Sequence, residues 1–333
     1  MTVYAHINTV PNGSTGSIMM KEHRKLLTAG NDSFVFWGRG RTAEGEHECR
    51  FSTDIDSRLD ALQTRIDGKA GFHSKAATRR LLARLDEINP DVVHLHNIHG
   101  YYVNVEMLFE WLAAHECKVE WTLHDCWAFT GHCAYGEPCS QLHAYPKTFS
   151  KASCTWNFDA KKHFFNLVPA ERMKLIAPSQ WLADLVGESF LKDYPIEVRH
   201  NTIDTSVFKP TPSDFRDRYG IGNRFMILGV ASPWTERKGL GDFIRLAGEI
   251  DNEKYAIVLV GLSGKQIRRL PAGVIGIRRT DSREQLATIY TAADVFFNPT
   301  TEDNYPTVNL EAEACGTPVV TYDTGGGRET IRK

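Results

Sequence analysis

Apolar residues in this chain gather in short runs that lack strict apolar–polar alternation, and these runs are separated by stretches with helical spacing. In the first half the runs are TVYAHIN (2–8), SFVFWG (33–38), DVVHLHN (91–97), KVEWTLHD (118–125), KLIAPS (174–179) and IEVRHN (196–201). In the second half they are RFMILGVAS (224–232), YAIVLVG (255–261), GVIGIRR (273–279), ADVFFNP (293–299) and TPVVTYD (317–323). Runs of this kind suit strands covered on both faces, as in parallel sheets. Between them lie helix-like segments such as KAATRRLLARLDEI (75–88), which stops at Asn89-Pro90. Strand–helix alternation over nearly the whole length predicts an α/β doubly wound design.

The alternation breaks twice. Residues 126–172 are rich in aromatics, cysteines and lysines and show no clear period, which predicts an insertion at the carboxyl end of a strand. Residues 204–223 hold two prolines and mixed charge before a fresh strand begins, and the domain boundary is placed there, giving domains 1–205 and 206–333. Two domains also fit the length of 333 residues.

Composition narrows the class. Hydrophobic residues make up 42% and charged residues 24%, an ordinary globular balance. A net charge of −2 gives no global reason to expect a nucleic-acid partner. No stretch approaches the roughly 20 apolar residues of a membrane span. The N-terminus lacks the basic and apolar regions of a secretory signal, so a cytoplasmic location is expected. In that setting the seven cysteines read as thiols or metal ligands, not as a disulfide framework.

Two segments carry candidate chemistry. The loop PNGSTGS (11–17) follows the first strand, and its glycines and hydroxyls would expose backbone N–H groups to a phosphate at a helix N-terminus. It is not a full G-x-G-x-x-G and lacks the P-loop lysine, so a plain strand–helix turn explains it equally well. The stronger segment is NPTTEDNYPTVNLEAEACGTPVV (298–320). Pro306 suits a first helical position and Gly316 a C-cap, which predicts a helix over about 306–315. Amides near Thr307 and Val308 would face the preceding loop, and Glu311 lies one turn on, roughly 6 Å along the axis. That spacing fits a diphosphate at the N-terminus and a ribose hydroxyl at the glutamate. Without further context, a capped amphipathic helix with Glu311 solvated explains the same residues.

Asp303 and Glu311, with seven residues between them and ahead of G-x-P-V-V, resemble the second-domain motif of glycosyltransferase family 4. HLHNIHGYYVN (94–104), WTLHDCWAFTGHC (121–133), APSQWL (177–182), HNTID (200–204) and ERKGL (236–240) fall in that family's order. They look most like the subgroup that builds bacterial exopolysaccharide, capsule or lipopolysaccharide. The resemblance implies a GT-B fold, two Rossmann-like domains facing a cleft, with an N-terminal acceptor domain and a C-terminal nucleotide-sugar domain. It implies that Gly13, Ser14, Thr15 and Gly16 approach the donor phosphates, and that Lys238, with Arg237, neutralises the diphosphate leaving group. Glu311 would bind ribose, Asp303 the donor sugar, and Thr307 and Val308 the diphosphate. His124 would face sugar and acceptor, and His99, Tyr101 and Asn201 would line the acceptor side of the cleft. No metal is required, because fixed cations and helix-terminal amides stabilise a departing nucleoside diphosphate. Two departures stand out: Pro233 occupies the position where the family usually has an arginine, and the chain stops at Lys333, short of the family's usual C-terminal elements.

The activity so implied is transfer of a sugar from a UDP- or GDP-sugar to a growing, lipid-linked glycan, with retention of anomeric configuration. Its rivals are an inactive remnant that at most binds a ligand, and a nucleotide-sugar epimerase. His94, His96 and His99 look like a metal cluster, but the family reading places them near the cleft instead. Cys126, Cys133, Cys139 and Cys154 have the composition of a tetrahedral structural zinc site. Small buried thiols packed among aromatics is the plainer account. The insertion's aromatics (Trp127, Phe129, Tyr135, Tyr145, Trp156, Phe158) and Lys147, Lys151, Lys161 and Lys162 suggest an acceptor platform or a patch touching an anionic membrane.

Overall fold

The apolar runs become strands of two parallel sheets. The computed structural model describes residues 1–40, 45–135 and 149–331. Two units are present, Met1–Arg199 and His200–Lys333, a boundary slightly earlier than composition suggested. The first contains β1 (Val3–Asn8), β2 (Asp32–Trp37), β3 (Glu48–Arg50), β4 (Val92–Leu95), β5 (Lys118–Thr122), β6 (Met173–Ala177) and β7 (Ile196–Val198). Their order is β3-β2-β1-β4-β5-β6-β7, parallel throughout. The second contains β8 (Phe225–Val230), β9 (Tyr255–Val260), β10 (Val274–Ile277), β11 (Val295–Asn298) and β12 (Val319–Thr321), ordered β10-β9-β8-β11-β12 and again parallel. Both sheets reverse strand order beside their first strand, the point where doubly wound folds bind ligands at the carboxyl ends.

The helices of the first unit are α1 (Gly13–Thr28), α2 (Asp54–Asp67), α3 (Lys75–Ile88), α4 (Val105–Ala114), α5 (Lys151–Phe165) and α6 (Gln180–Gly187). Those of the second are α7 (Phe215–Arg218), α8 (Leu240–Glu249), α9 (Gly264–Ile267), α10 (Arg283–Ala292) and α11 (Thr307–Ala314). Because helices cover both sheet faces, successive strand residues are buried whichever way they point. On β1, Ala5 and Ile7 are fully buried, and so are His6 and Asn8 on the opposite face. On β9 every residue from Ala256 to Val260 is buried. This double burial removes the alternation that a half-exposed strand would show.

The described parts of the 126–172 segment are more regular than their composition implies. Cys126–Phe129 form a single 3-10 turn, capped by Asp125, and residues 151–165 are helix α5. The buried stripe of α5 is Cys154, Asn157, Lys161 and Phe165, a helical spacing in which two of four positions are polar. Asn157 Nδ2 donates to the Gly68 carbonyl at 2.6 Å, and Lys161 Nζ donates to the Trp127 carbonyl at 2.6 Å while lying 3.9 Å from that indole ring. Burial holds the Lys161 ammonium well below its ordinary pKa. Hydrogen-bonded polar groups thus occupy core positions and hide the apolar period. The lysine–aromatic surface expected here is correspondingly reduced: Lys161, Trp127 and Phe129 are core, Lys151, Lys162 and Trp156 are exposed, and Lys147 and Tyr145 lie outside the described residues.

Helix α2 is built the other way round. Its buried positions are Asp60 and Thr64, held by Ser74 Oγ to Asp60 Oδ2 at 2.5 Å and Thr64 Oγ1 to Asp60 Oδ1 at 3.1 Å. Ile55, Leu59, Leu62 and Ile66 recur along one face and are 53–78% exposed. Among the described residues no helix is long and apolar enough to cross a membrane.

Candidate active site

In the second unit, the loop between β11 and α11 is held by a buried polar chain. Asn298 Nδ2 donates to Asn309 Oδ1 at 2.8 Å, and Asn309 Nδ2 donates to Thr330 Oγ1 at 2.8 Å. Thr300 Oγ1 donates to Asn298 Oδ1 at 2.6 Å, and Thr324 Oγ1 to the Thr300 carbonyl at 2.9 Å. These bonds tie the strand end, the loop, the helix and the C-terminal segment together, so the loop is fixed before any ligand arrives. A second loop is stapled to it: the Thr301 amide donates to the Arg237 carbonyl at 3.0 Å, and the Arg237 guanidinium donates to the Glu302 carbonyl. Gly239 makes this approach feasible. Its φ is +74°, and a Cβ there would lie 2.5 Å from Pro299 Cγ and 2.6 Å from the Pro299 carbonyl oxygen.

The stapling places Lys238 against Asp303, Nζ donating to Oδ2 as an ion pair, with both side chains about one-fifth exposed. Asp303 Oδ1 accepts from the Asn304 amide at 3.0 Å. Four residues on, α11 begins with Pro306 at its N-cap and no side-chain cap, leaving Thr307 and Val308 in an uncapped first turn. Such a turn presents partial positive charge. Glu311 lies on the next turn, where Tyr290 Oη donates to its Oε2 at 3.1 Å. Burial pushes the Glu311 carboxyl up to about 7, against the lowering effect of that hydrogen bond and of Arg283. The segment that leads into this unit adds a ring contact, His200 stacking on Tyr305 at 4.7 Å, and Asn201 follows it. Asn201 therefore belongs to the second unit and not to the acceptor domain in which the sequence reading put it.

In the first unit the expected glycine loop is helix. α1 begins at Gly13, so Gly13, Ser14, Thr15 and Gly16 form its first turn, and the loop is confined to residues 9–12. Asn12 makes no side-chain cap. Gly16 is required by a backbone approach: a Cβ there would sit 2.5 Å from the Pro11 carbonyl carbon and 2.7 Å from the Val10 carbonyl oxygen. Asn8, at the end of β1, braces the turn by donating to Val10 O at 2.9 Å and to Thr15 Oγ1 at 3.3 Å.

Beyond β4 and β5 a second group assembles. His99 Nε2 meets Asp125 Oδ2 at 2.8 Å, and Asp125 Oδ1 accepts from the Trp127 amide at 2.9 Å. Burial would raise the Asp125 carboxyl, but the His99 charge and hydrogen bond together with the Trp127 amide outweigh it and hold the group below its ordinary pKa. His124 Nε2 lies 3.3 Å from His96 Nδ1. Burial pulls the His124 pKa down to about 4, with Asp125 opposing, so its imidazole is neutral at pH 7. Tyr101 has φ +66°, a conformation that costs a non-glycine residue energy and recurs at functional turns.

Asp125 and Tyr290 were not singled out in the sequence. Asp125 adjoins His124, but its role depends on His99 from the loop after β4. Tyr290 lies on a different helix from Glu311, and no spacing rule connects them. Cys126 and Cys154 are buried free thiols, Cys133 is disulfide-bonded, and Cys139 lies outside the described residues. A hollow of about 320 Å³ in the second unit, lined by Ile227, Leu246, Val295, Phe297, Val320 and Tyr322, includes none of the residues of the Lys238–Glu311 group.

Two parallel doubly wound units with this arrangement define a glycosyltransferase of the GT-B fold. The chain belongs to Glycosyltransferase Family 4, which matches residues 23–207, and residues 223–333 match the family described as Glycosyl transferases group 1. It is 24% identical over 357 aligned positions to the colanic acid biosynthesis glycosyl transferase WcaC of Escherichia coli K12, covering 96% of this chain and 83% of that protein. In three dimensions it is similar to sucrose-phosphate synthase from Thermosynechococcus elongatus, with TM-score 0.74, 15% identity and coverage of 100% and 84%. It is likewise similar to Anabaena HepE solved with UDP-glucose, with TM-score 0.64, 17% identity and coverage of 100% and 84%. Neither the epimerase reading nor the inactive-remnant reading is favoured by these relatives.

Proposed function

We propose that this chain transfers a sugar from a uridine or guanosine diphosphate sugar to a growing, lipid-linked polysaccharide. The observation that carries the reading is the Lys238–Asp303 ion pair set before the uncapped N-terminus of α11, with Glu311 one turn beyond. A nucleoside diphosphate offers charges that match these groups in order. Its phosphates take the Lys238 ammonium and the Thr307 and Val308 amides, Arg237 lends further positive charge, and the ribose hydroxyls reach Glu311. Asp303 holds Lys238 in place and accepts from hydroxyls of the transferred sugar. As the glycosidic bond to phosphate breaks, negative charge grows on the leaving oxygen, and the fixed cation and amides stabilise it without reorganising.

The uncapped first turn of α1, from Gly13 to Gly16, is itself suited to a phosphate through its backbone donors. The His99–Asp125–His124 group, with Tyr101, serves the acceptor. Because His124 is neutral at pH 7, it can donate a hydrogen bond to the acceptor and position it without adding charge. Transfer with retention fits an acceptor proton that passes to the departing phosphate. The inverted face of α2 supports peripheral contact with the membrane that carries a lipid-linked acceptor, and hence work at the inner face of the plasma membrane.

The test is calorimetric titration of the purified chain with UDP, GDP, UDP-glucose and GDP-mannose, repeated on Lys238→Ala and Glu311→Ala. Saturable binding of one nucleotide series, weakened in both variants, supports the reading. A folded chain that binds neither series rejects it.

A further inference from the structure

Under helix α1, four donor side chains converge on the first sheet. His6 of β1 lies in register with His94 of β4, and His96, two residues on, faces the same side. Their rings pack at centroid distances of 5.2 Å (His6–His94), 4.3 Å (His94–His96) and 5.9 Å (His6–His96). Glu22 of α1 closes the group from above, its Oε2 lying 3.2 Å from His94 Nδ1. One donor atom from each of the four lies within 4.8 Å of the other three.

Hydrogen bonding leaves this group incomplete. All three histidines are at most 2% exposed, yet neither ring nitrogen of His6 has a partner, nor does His96 Nε2. Each such buried orphan forfeits its hydration without a replacement partner, and native structures rarely tolerate several side by side. The surroundings do not supply the missing partners. His23 is directed to Ser33 Oγ at 2.9 Å, and Arg199 approaches the other carboxylate oxygen, Glu22 Oε1, at 3.6 Å, leaving Oε2 turned to the histidines. His94 Nε2 is anchored on Thr122 Oγ1 at 2.8 Å, which frees Nδ1 for the centre.

We propose that His6, Glu22, His94 and His96 form a binding site for a divalent transition cation, with zinc the expected occupant. Three imidazoles and one carboxylate are a donor set that zinc accepts in tetrahedral geometry. Donors around a tetrahedral zinc sit roughly 3.3 Å apart, given bonds near 2.0–2.1 Å. Closing from 4.8 Å therefore takes small side-chain rotations. The bound cation would tie α1 to β1 and β4. It would also set a tautomer: metal on His96 Nε2 leaves the proton on Nδ1, which then donates to His124 Nε2 3.3 Å away. The cation would thereby orient His124 without touching the substrate.

The experiment uses the purified full chain, stripped with a chelator, titrated with cobalt(II) and then with zinc(II). Expected are one tightly bound cobalt per chain with a visible d–d band and no thiolate-to-cobalt charge transfer, displacement by zinc, and a zinc-dependent rise in Tm. His6→Gln and Glu22→Gln, each checked for folding by circular dichroism, should weaken cobalt binding at least tenfold and abolish the rise in Tm. Glu22 is partly exposed, so its variant keeps the test usable if His6→Gln does not fold. Absence of stoichiometric binding, a thiolate charge-transfer band in place of the d–d band alone, or unchanged affinity in a folded variant would overturn the proposal.

Discussion

Lys238 and Asp303, 65 residues apart in sequence, form an ion pair because the Arg237 and Thr301 backbones are stapled to each other one or two residues away. An anionic donor competes with Asp303 for that ammonium. Lys238→Ala should therefore weaken binding of a nucleoside diphosphate by tenfold or more, since a charged hydrogen bond contributes about 1.5–3 kcal/mol. Asp303→Asn should bind the free diphosphate as well as or better than the parent chain, yet turn over more slowly. Titration calorimetry together with product release measures both halves. Weakened diphosphate binding in Asp303→Asn would contradict the competition.

Glu311 supplies a pH test. Its folded carboxyl is raised to about 7 from an ordinary 4.5 by burial. The group therefore favours the folded state most below 4.5, and that contribution is lost as pH rises through 7. Ribose hydroxyls that donate to Glu311 favour its ionised form, so binding expels a proton. Nucleotide affinity should increase from pH 6 to pH 8 and level off above, and Glu311→Gln should flatten the profile. An unchanged slope in that variant would place the titration elsewhere.

Gly239→Ala tests the stapling itself. The new Cβ would fall 2.5–2.6 Å from Pro299 atoms while the backbone sits at φ +74°. The expected loss of stability is about 1–3 kcal/mol, read as a lower urea midpoint. Donor affinity should fall with it, although the alanine itself offers no contact to a ligand.

The exposed stripe on α2 gives a prediction free of folding effects. Leu59→Asp with Leu62→Asp replaces side chains that are 54% and 53% exposed, so stability should move by no more than about 0.5 kcal/mol per site. Sedimentation with vesicles containing anionic lipid should nevertheless drop severalfold. Equal sedimentation of the variant and the parent would remove the membrane role from this helix.

Much of the scaffold was legible in the chain. Eleven apolar runs coincide with strands because parallel strands buried on both faces, such as β9, are predominantly apolar. Helix α11 was legible from Pro306 and Gly316, since proline fixes the entry and glycine relieves the left-handed exit, where φ is +85°. Three-residue β3 carried no such signal: Glu48, Cys49 and Arg50, which pair with β2, form no apolar run. Helix α5 was hidden by Asn157 and Lys161, polar residues that become core residues only because Gly68 and Trp127 offer carbonyls to them.

The sequence by itself determined the alternation of strands and helices, the two-unit design and the family, because these rest on periodicity and on motifs in order along the chain. Tertiary structure decided which distant groups share an environment. Pairing between β1 and β4 sets His6 beside His94, folding of α10 onto α11 gives Glu311 its tyrosine, and loop stapling gives Lys238 its carboxylate. Protonation, hydrogen-bond satisfaction and metal geometry depend on distances across elements, and no local spacing rule encodes those distances.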